Sequence, residues 1–154
     1  MLKVIVMQGV PGAGKSTYIK RKFPMAKIVS ADNYFINSET GNYEFKGELL
    51  GEAHAMCLRS FVEAVINWDN DIIEDGFIVV DNTNCTAAEI APYAQIALAY
   101  GHSLKVIHMD VDPKTAAARN LHGVEEQHVI NMAEKIKNSV KEFPPYWPRE
   151  SITS

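Results

Sequence analysis

Gly9-Val-Pro-Gly-Ala-Gly14-Lys15-Ser16-Thr17 constrains this chain more than any other stretch. It fits G-x-x-x-x-G-K-[ST] and stands between an apolar run at Lys3–Met7 and a helical pattern at Lys15–Lys22. Glycines let backbone N–H groups turn inward with no Cβ in the way, and the N-terminus of the following helix adds partial positive charge. The segment is therefore an anion cradle. Gly9, Pro11, Gly12, Ala13, Gly14, Lys15, Ser16 and Thr17 are the expected nucleotide-binding residues. Lys15 is expected to reach the β- and γ-phosphates, the Ser16 hydroxyl to complete a magnesium shell, and Thr17 to cap or pack. At ordinary residue frequencies this pattern arises by accident in about 0.5% of chains of this length, and the strand and helix flanks lower that figure further. ATP and Mg2+ are the cofactors it implies.

Around this loop, apolar β-branched runs at Lys3–Met7, Lys27–Ser30, Phe77–Asp81 and Leu104–Met109 alternate with helical periodicity. Helices are expected at Lys15–Lys22, about Gly47–Asn67, Ala87–Tyr100, Pro113–Asn120 and Glu125–Lys141. Such alternation predicts an α/β fold, a three-layer sandwich around a mostly parallel sheet. In the last helix Val129, Ala133, Ile136, Val140 and Phe143 form one apolar face directed at the sheet. Residues 33–46 break the rhythm and read as a hairpin-like excursion at the sheet edge, able to form part of a substrate wall. The proline-rich tail 144–154 is expected to lie extended, and the whole chain 1–154 to form one domain.

In an open parallel sheet the ligand crevice lies outside the carboxyl ends of the strands, where two aspartates fall. Asp81 ends Phe77-Ile-Val-Val and suits a carboxylate of the magnesium shell, a turn or cap aspartate being the alternative. Asp32 follows Ile28-Val-Ser and could accept the proton of an attacking hydroxyl. Asn82 and Asn84 offer amides to substrate or metal-bound water, or else order the loop, and Thr86 suits a helix cap. Arg119, followed by Leu-His122-Gly, has the look of a basic lid over residues 119–125, with His122 a weaker candidate for lid contact. Tyr34, Phe35 and Tyr43 are candidate acceptor contacts on the excursion. His54 reads as a half-buried helix histidine, Lys20-Arg21-Lys22 as a solvated, dipole-compensating helix end, and Cys57 and Cys85 as ordinary thiols.

With the P-loop, Ser30-Ala-Asp32-Asn-Tyr-Phe, Asp81-Asn-Thr-Asn84 and Arg119-Asn-Leu-His-Gly123 in place, the chain resembles the polynucleotide-kinase-like branch of P-loop kinases, an ATP-binding domain of the AAA_33 type. The likeness runs from about Leu2 to Val140 and extends to Gly51-Glu-Ala-His54. It implies a fold similar to nucleoside monophosphate kinases, with Lys15 and Ser16 handling ATP and magnesium, Asp32 as general base and Arg119 in the lid. Two positions depart from the family pattern. Phe35 stands where an acceptor-holding arginine is found three residues after the base. The family's acidic residue in the β-strand-end segment falls on Asn82, which leaves the metal-shell role open between Asp81 and Asn82.

The leading expectation is transfer of the γ-phosphoryl group of ATP to a hydroxyl, with the 5′-OH of a polynucleotide as first acceptor. A small-molecule kinase is the runner-up, favoured by Phe35 and by a formal charge of −4, which gives no bulk attraction to polyanions. A nucleotide-binding switch with little turnover is the reading from another class, and a base at Asp32 argues against it. No apolar run approaches a membrane span of about 20 residues, so a soluble, cytoplasmic protein with no membrane contact is expected. No protein partner is inferred.

Overall fold

The first strand is apolar on both of its sides. Val4 and Val6 enter one buried cluster while Ile5 and Met7 enter another. A strand of that kind has to be covered on both faces, and the computed structural model, which describes residues 2–70 and 76–153, shows how. Met1 and Ser154, counted in the expected domain bounds, lie outside the described residues. Five strands, β1 (Leu2–Gln8), β2 (Lys27–Val29), β3 (Gly76–Asp81), β4 (Ser103–Asp110) and β5 (Arg149–Thr153), form one sheet in the order β2-β3-β1-β4-β5. All four pairings are parallel.

Among the described residues five α-helices connect them: α1 (Lys15–Lys22), α2 (Leu50–Asn70), α3 (Ala87–Ala99), α4 (Pro113–Arg119) and α5 (Glu126–Ser139). On one face α2 and α3 lay down Ala53, Cys57, Phe61 and Val65, and Ile90, Tyr93, Ala94 and Ala97, against Val4, Val6, Ile78, Val80 and Val106. The four α2 positions recur every fourth residue, which is the stripe a sheet-facing helix needs. On the other face α1, α4 and α5 contribute Ile19, Ala116, Val129 and Ile136 against Ile5, Met7, Val79, Ile107 and Met109. The result is the expected three-layer α/β sandwich, with a fully parallel sheet. Thr86 caps α3 as expected, its side chain accepting from the Glu89 amide while Glu89 reaches back to the Thr86 amide.

The C-terminal part departs from the expected pattern. Helix α5 stops at Ser139, so the apolar face does not run on to Phe143. Val140 is exposed in a 3-10 turn, and Phe143 packs with Trp147 in the cluster on the opposite face of the sheet. Beyond Pro148, whose carbonyl accepts from the Val106 amide at 2.8 Å, Arg149–Thr153 joins β4 as a fifth strand. His54 is exposed rather than half-buried, because the buried stripe of α2 passes through Ala53 and Cys57 and turns position 54 outward. No helix among the described residues is long and apolar enough to cross a membrane.

Register brings the chemistry to one edge. Met7 lies opposite Asp81 and Val29 opposite Val80, so the residues that follow β1, β2 and β3 emerge together at the carboxyl end of the sheet.

Candidate active site

The loop between β1 and α1 is built by what its glycines permit. Gly12 and Gly14 take φ of +83° and +93°, the left-handed region, and Gly14 is the N-cap of α1. A Cβ at Gly12 would overlap the carbonyl oxygen of Ala116 and come to 3.0 Å from the Asn120 amide nitrogen. The loop therefore touches the last turn of α4 through bare backbone, and its position is tied to the segment that carries Arg119. We predict that Gly12→Ala strains the backbone by about 1–2 kcal/mol and pushes α4 away besides. That should lower the melting temperature by roughly 5 °C or more and abolish the stabilisation given by magnesium–ATP. Thermal unfolding with and without nucleotide checks both effects, and parent-like behaviour would sink the close contact.

Lys15 folds back over the loop, its Nζ donating to the carbonyls of Gly9 at 2.8 Å and Val10 at 3.0 Å. Burial lowers its pKa, opposed by the negative fields of Asp81, Cys85 and Asp32. Ser16 Oγ stands 3.3 Å from Asp81 Oδ2 and donates to it. Burial raises the Asp81 pKa, while Lys15 and the Ser16 hydroxyl pull it down and Asp32 pushes it up. Among the described residues there is no cluster of three or more His, Cys, Asp or Glu able to hold a metal ion by themselves. One hydroxyl and one carboxylate beside a phosphate cradle suit Mg2+, which keeps several waters and takes further oxygens from substrate phosphates. The residues present thus fit the group, with Ser16 and Asp81 as the pair that would hold it.

The Asp81–Asn84 segment also anchors the loop. Thr83 gives its carbonyl to the Gly9 amide at 3.0 Å, and Asn84 Nδ2 donates to the Met7 carbonyl at 2.7 Å. Gln8 Nε2 donates in return to the Asn84 carbonyl at 3.1 Å and to Ser139 Oγ at 3.1 Å, while Gln8 Oε1 accepts from Arg149. Asn84 adopts φ of +46°, a conformation that asparagine tolerates better than most residues. Asn82 is buried, its Oδ1 accepting from the Ala31 amide at 2.8 Å and its Nδ2 directed at Cys57 Sγ at 3.5 Å. Both amides are committed to protein partners, and only Asp81 of the Asp81/Asn82 pair lies at Ser16. Both thiols are free and buried.

Asp32 is exposed on a short 3-10 segment, Ala31–Phe35, whose start is capped by the Ser30 side chain accepting from the Asp32 amide. Its Oδ1 accepts from the Tyr43 hydroxyl at 3.1 Å. Tyr43 is fixed by an antiparallel bridge to Ile36 and by the Glu44 amide donating to the Phe35 carbonyl at 2.7 Å. Phe35 itself is buried, 5% exposed, with its ring against Tyr34, Tyr43 and Phe45. It anchors the excursion and presents no face to an acceptor. Tyr34 donates to Glu52 on α2 at 2.6 Å. Arg119 is exposed at the last turn of α4, where Asn120 closes the following turn by bonding the Ala117 and Val124 backbone. His122, in the loop after it, meets the Tyr43 ring edge-on with centroids 4.4 Å apart, and its charge would lower the Asp81 pKa. Lys15, Ser16, Asp81, Asp32 and His122 thus converge on one edge. Gln8 and Thr83 join them with no motif to announce them, since both act through backbone neighbours, while Tyr43, expected as an acceptor contact, instead bonds Asp32 and meets His122.

A parallel sheet in this order, with a glycine loop and lysine at the end of its central strand, defines a P-loop kinase-like fold. The family model of the AAA domain AAA_33 matches residues 4–133, and the chain belongs to that family. NEDD4-binding protein 2 of Homo sapiens is 32% identical over 154 residues, covering 90% of this chain but only 8% of the human protein. A chain of the Pnkp1/Rnl/Hen1 RNA repair complex superposes with a TM-score of 0.69 at 14% identity, over 92% of this chain and 46% of that one. Shikimate kinase from Acinetobacter baumannii, bound to shikimate, gives a TM-score of 0.59 at 16% identity, over 100% of this chain and 84% of that one. At such identities the two structures speak for the fold.

Proposed function

We propose that the chain transfers the γ-phosphoryl group of magnesium–ATP to a hydroxyl, with the 5′-OH of a polynucleotide as the first acceptor. The observation that carries this reading is Asp32, an exposed carboxylate just past the carboxyl end of β2, at the sheet edge where the phosphate loop also lies, its Oδ1 held by the Tyr43 hydroxyl. A nucleotide switch has no use for a proton acceptor in that position. The loop amides and Lys15 hold the β- and γ-phosphates, Lys15 leaving the Gly9 and Val10 carbonyls to do so. Ser16 and Asp81 would hold Mg2+, which neutralises charge on the β- and γ-oxygens when bound. Asp32 takes the proton of the attacking hydroxyl as its oxygen bonds to the γ-phosphorus and the bond to the bridging oxygen breaks, releasing ADP. Polynucleotide acceptance is supported by the family resemblance and by the likeness to an RNA repair complex. A small-molecule acceptor is favoured by one observation, the burial of Phe35, which leaves no cation at that position to meet a phosphate backbone.

Labelling from γ-labelled ATP into 5′-OH DNA, 5′-OH RNA and a panel of small alcohols tests the reading. Labelled oligonucleotide supports it, a labelled small alcohol alone moves the acceptor class, and no transfer to any hydroxyl overturns it. Arg119→Ala should lower kcat by on the order of 10²–10³-fold with nearly constant ATP KM, since a lid arginine acts on charge that develops in the transition state. Parent-like kcat would return Arg119 to a surface role.

A further inference from the structure

Tyr43 stands between the lid and the candidate base, and nothing in the phosphate-handling machinery accounts for it. Its hydroxyl bonds Asp32 Oδ1, and its ring takes the edge of His122 from the loop after α4. We propose that Tyr43 is a positioning residue that fixes the Asp32 carboxylate for proton transfer and links that carboxylate to the closing of the lid. The inference rests on the reading of Asp32 as general base.

An exposed aspartate on a short 3-10 segment has freedom about its side-chain torsions, and a base works only when held within hydrogen-bond reach of the proton it accepts. A phenol that occupies Oδ1 removes that freedom and leaves Oδ2 as the oxygen for the acceptor hydroxyl. The phenol remains a donor at working pH, because burial and then the neighbouring Asp32 charge push its pKa up to about 12. Its own position is over-determined. The Ile36 bridge sets the backbone, Asn42 and Gly41 close the turn onto Asn37, and the buried Phe35 ring backs the Tyr43 ring at 6.2 Å. His122, which meets this ring from the loop after α4, rides with the segment that Gly12 contacts from the phosphate loop. Movement of that segment is therefore felt at the Tyr43 ring and, through the hydroxyl, at Asp32.

The test is a cycle of Tyr43→Phe, His122→Ala and the double variant, read by steady-state transfer and by melting temperature. Tyr43→Phe keeps every ring contact and removes only the hydroxyl, so the melting temperature and ATP KM should hold while kcat falls on the order of 10-fold. His122→Ala should also lower kcat. In the double variant, with no hydroxyl left to misplace, kcat should match that of Tyr43→Phe within about 2-fold rather than fall to the product of the two losses. Parent-like kcat in Tyr43→Phe overturns the positioning role, and additive losses overturn the link to the lid. If the parent itself labels no acceptor, the failure belongs to the proposed function, which separates the two ideas.

Discussion

Lys15→Ala should abolish phosphoryl transfer and the thermal stabilisation given by magnesium–ATP, while leaving the nucleotide-free protein folded. Three features fix the size of that effect. The Lys15 ammonium lies inside the glycine loop, close enough to bond the Gly9 and Val10 carbonyls. It is also partly buried, which lowers its pKa, so its attraction for phosphate oxygens is less weakened by water than that of a surface lysine. Finally, Asp81 and Asp32 stand within its field, and without Lys15 the site presents those carboxylates to a polyanion with one opposing charge fewer. Loss of kcat by on the order of 10³-fold is expected, the upper end of the range seen when a single stabilising group is removed from a developing charge. A ligand present at 100 times its dissociation constant stabilises by about 2.7 kcal/mol, and that stabilisation should vanish in the variant. The fold should persist, because removing a desolvated cation relieves a burial cost that partly offsets the two lost hydrogen bonds. Turnover near the parent rate would show that the loop does not bind the reacting phosphates.

Much of this site was legible because its chemistry is local in sequence. Gly9–Thr17 needs only its own glycines and the strand and helix that flank it, and both flanks came from unbroken apolar and helical patterns. Asp32 and Asp81 were legible because strand ends define the crevice in a parallel sheet. What failed to show depended on distant partners. Arg149–Thr153 carries no apolar run, since an edge strand is paired on one side only and Arg-Glu-Ser-Ile-Thr joins β4 through its backbone. Phe35 reads in sequence as a candidate acceptor contact because nothing there says that Tyr34, Tyr43 and Phe45 will close around it. Asn82 and Asn84 looked available to substrate for the same reason. Their amides are taken up by Ala31, Cys57 and Met7, the nearest of which is 25 residues away. The stripe of α5 misled in the opposite way: helical spacing carried it past Ser139, where the chain in fact turns and sends Phe143 to the other face.

Asp32→Asn separates binding from chemistry, and its outcome decides whether the site is a kinase. The substitution keeps the size of the side chain and an oxygen that can accept from Tyr43, so the excursion and its contact with His122 should be retained. Asp32 lies outside the phosphate loop, and its charge opposes binding of a polyanion if it acts at all, so magnesium–ATP should bind as well as before or slightly better. Transfer should fall by on the order of 10²–10⁴-fold, the usual contribution of a positioned base. Run with a 5′-OH oligonucleotide, the same assay reports on the acceptor, because a polynucleotide substrate neutralised by cationic side chains competes in a salt-dependent manner. A small alcohol should show little such dependence. Full activity in Asp32→Asn would remove the base from the mechanism and leave Asp81 or water to accept the proton. Asp81 is poorly placed for that work, since its Oδ2 already accepts from Ser16 at the start of α1. Unimpaired ATP binding together with lost transfer would instead make Asp32 the residue that turns a nucleotide-binding fold into a phosphotransferase.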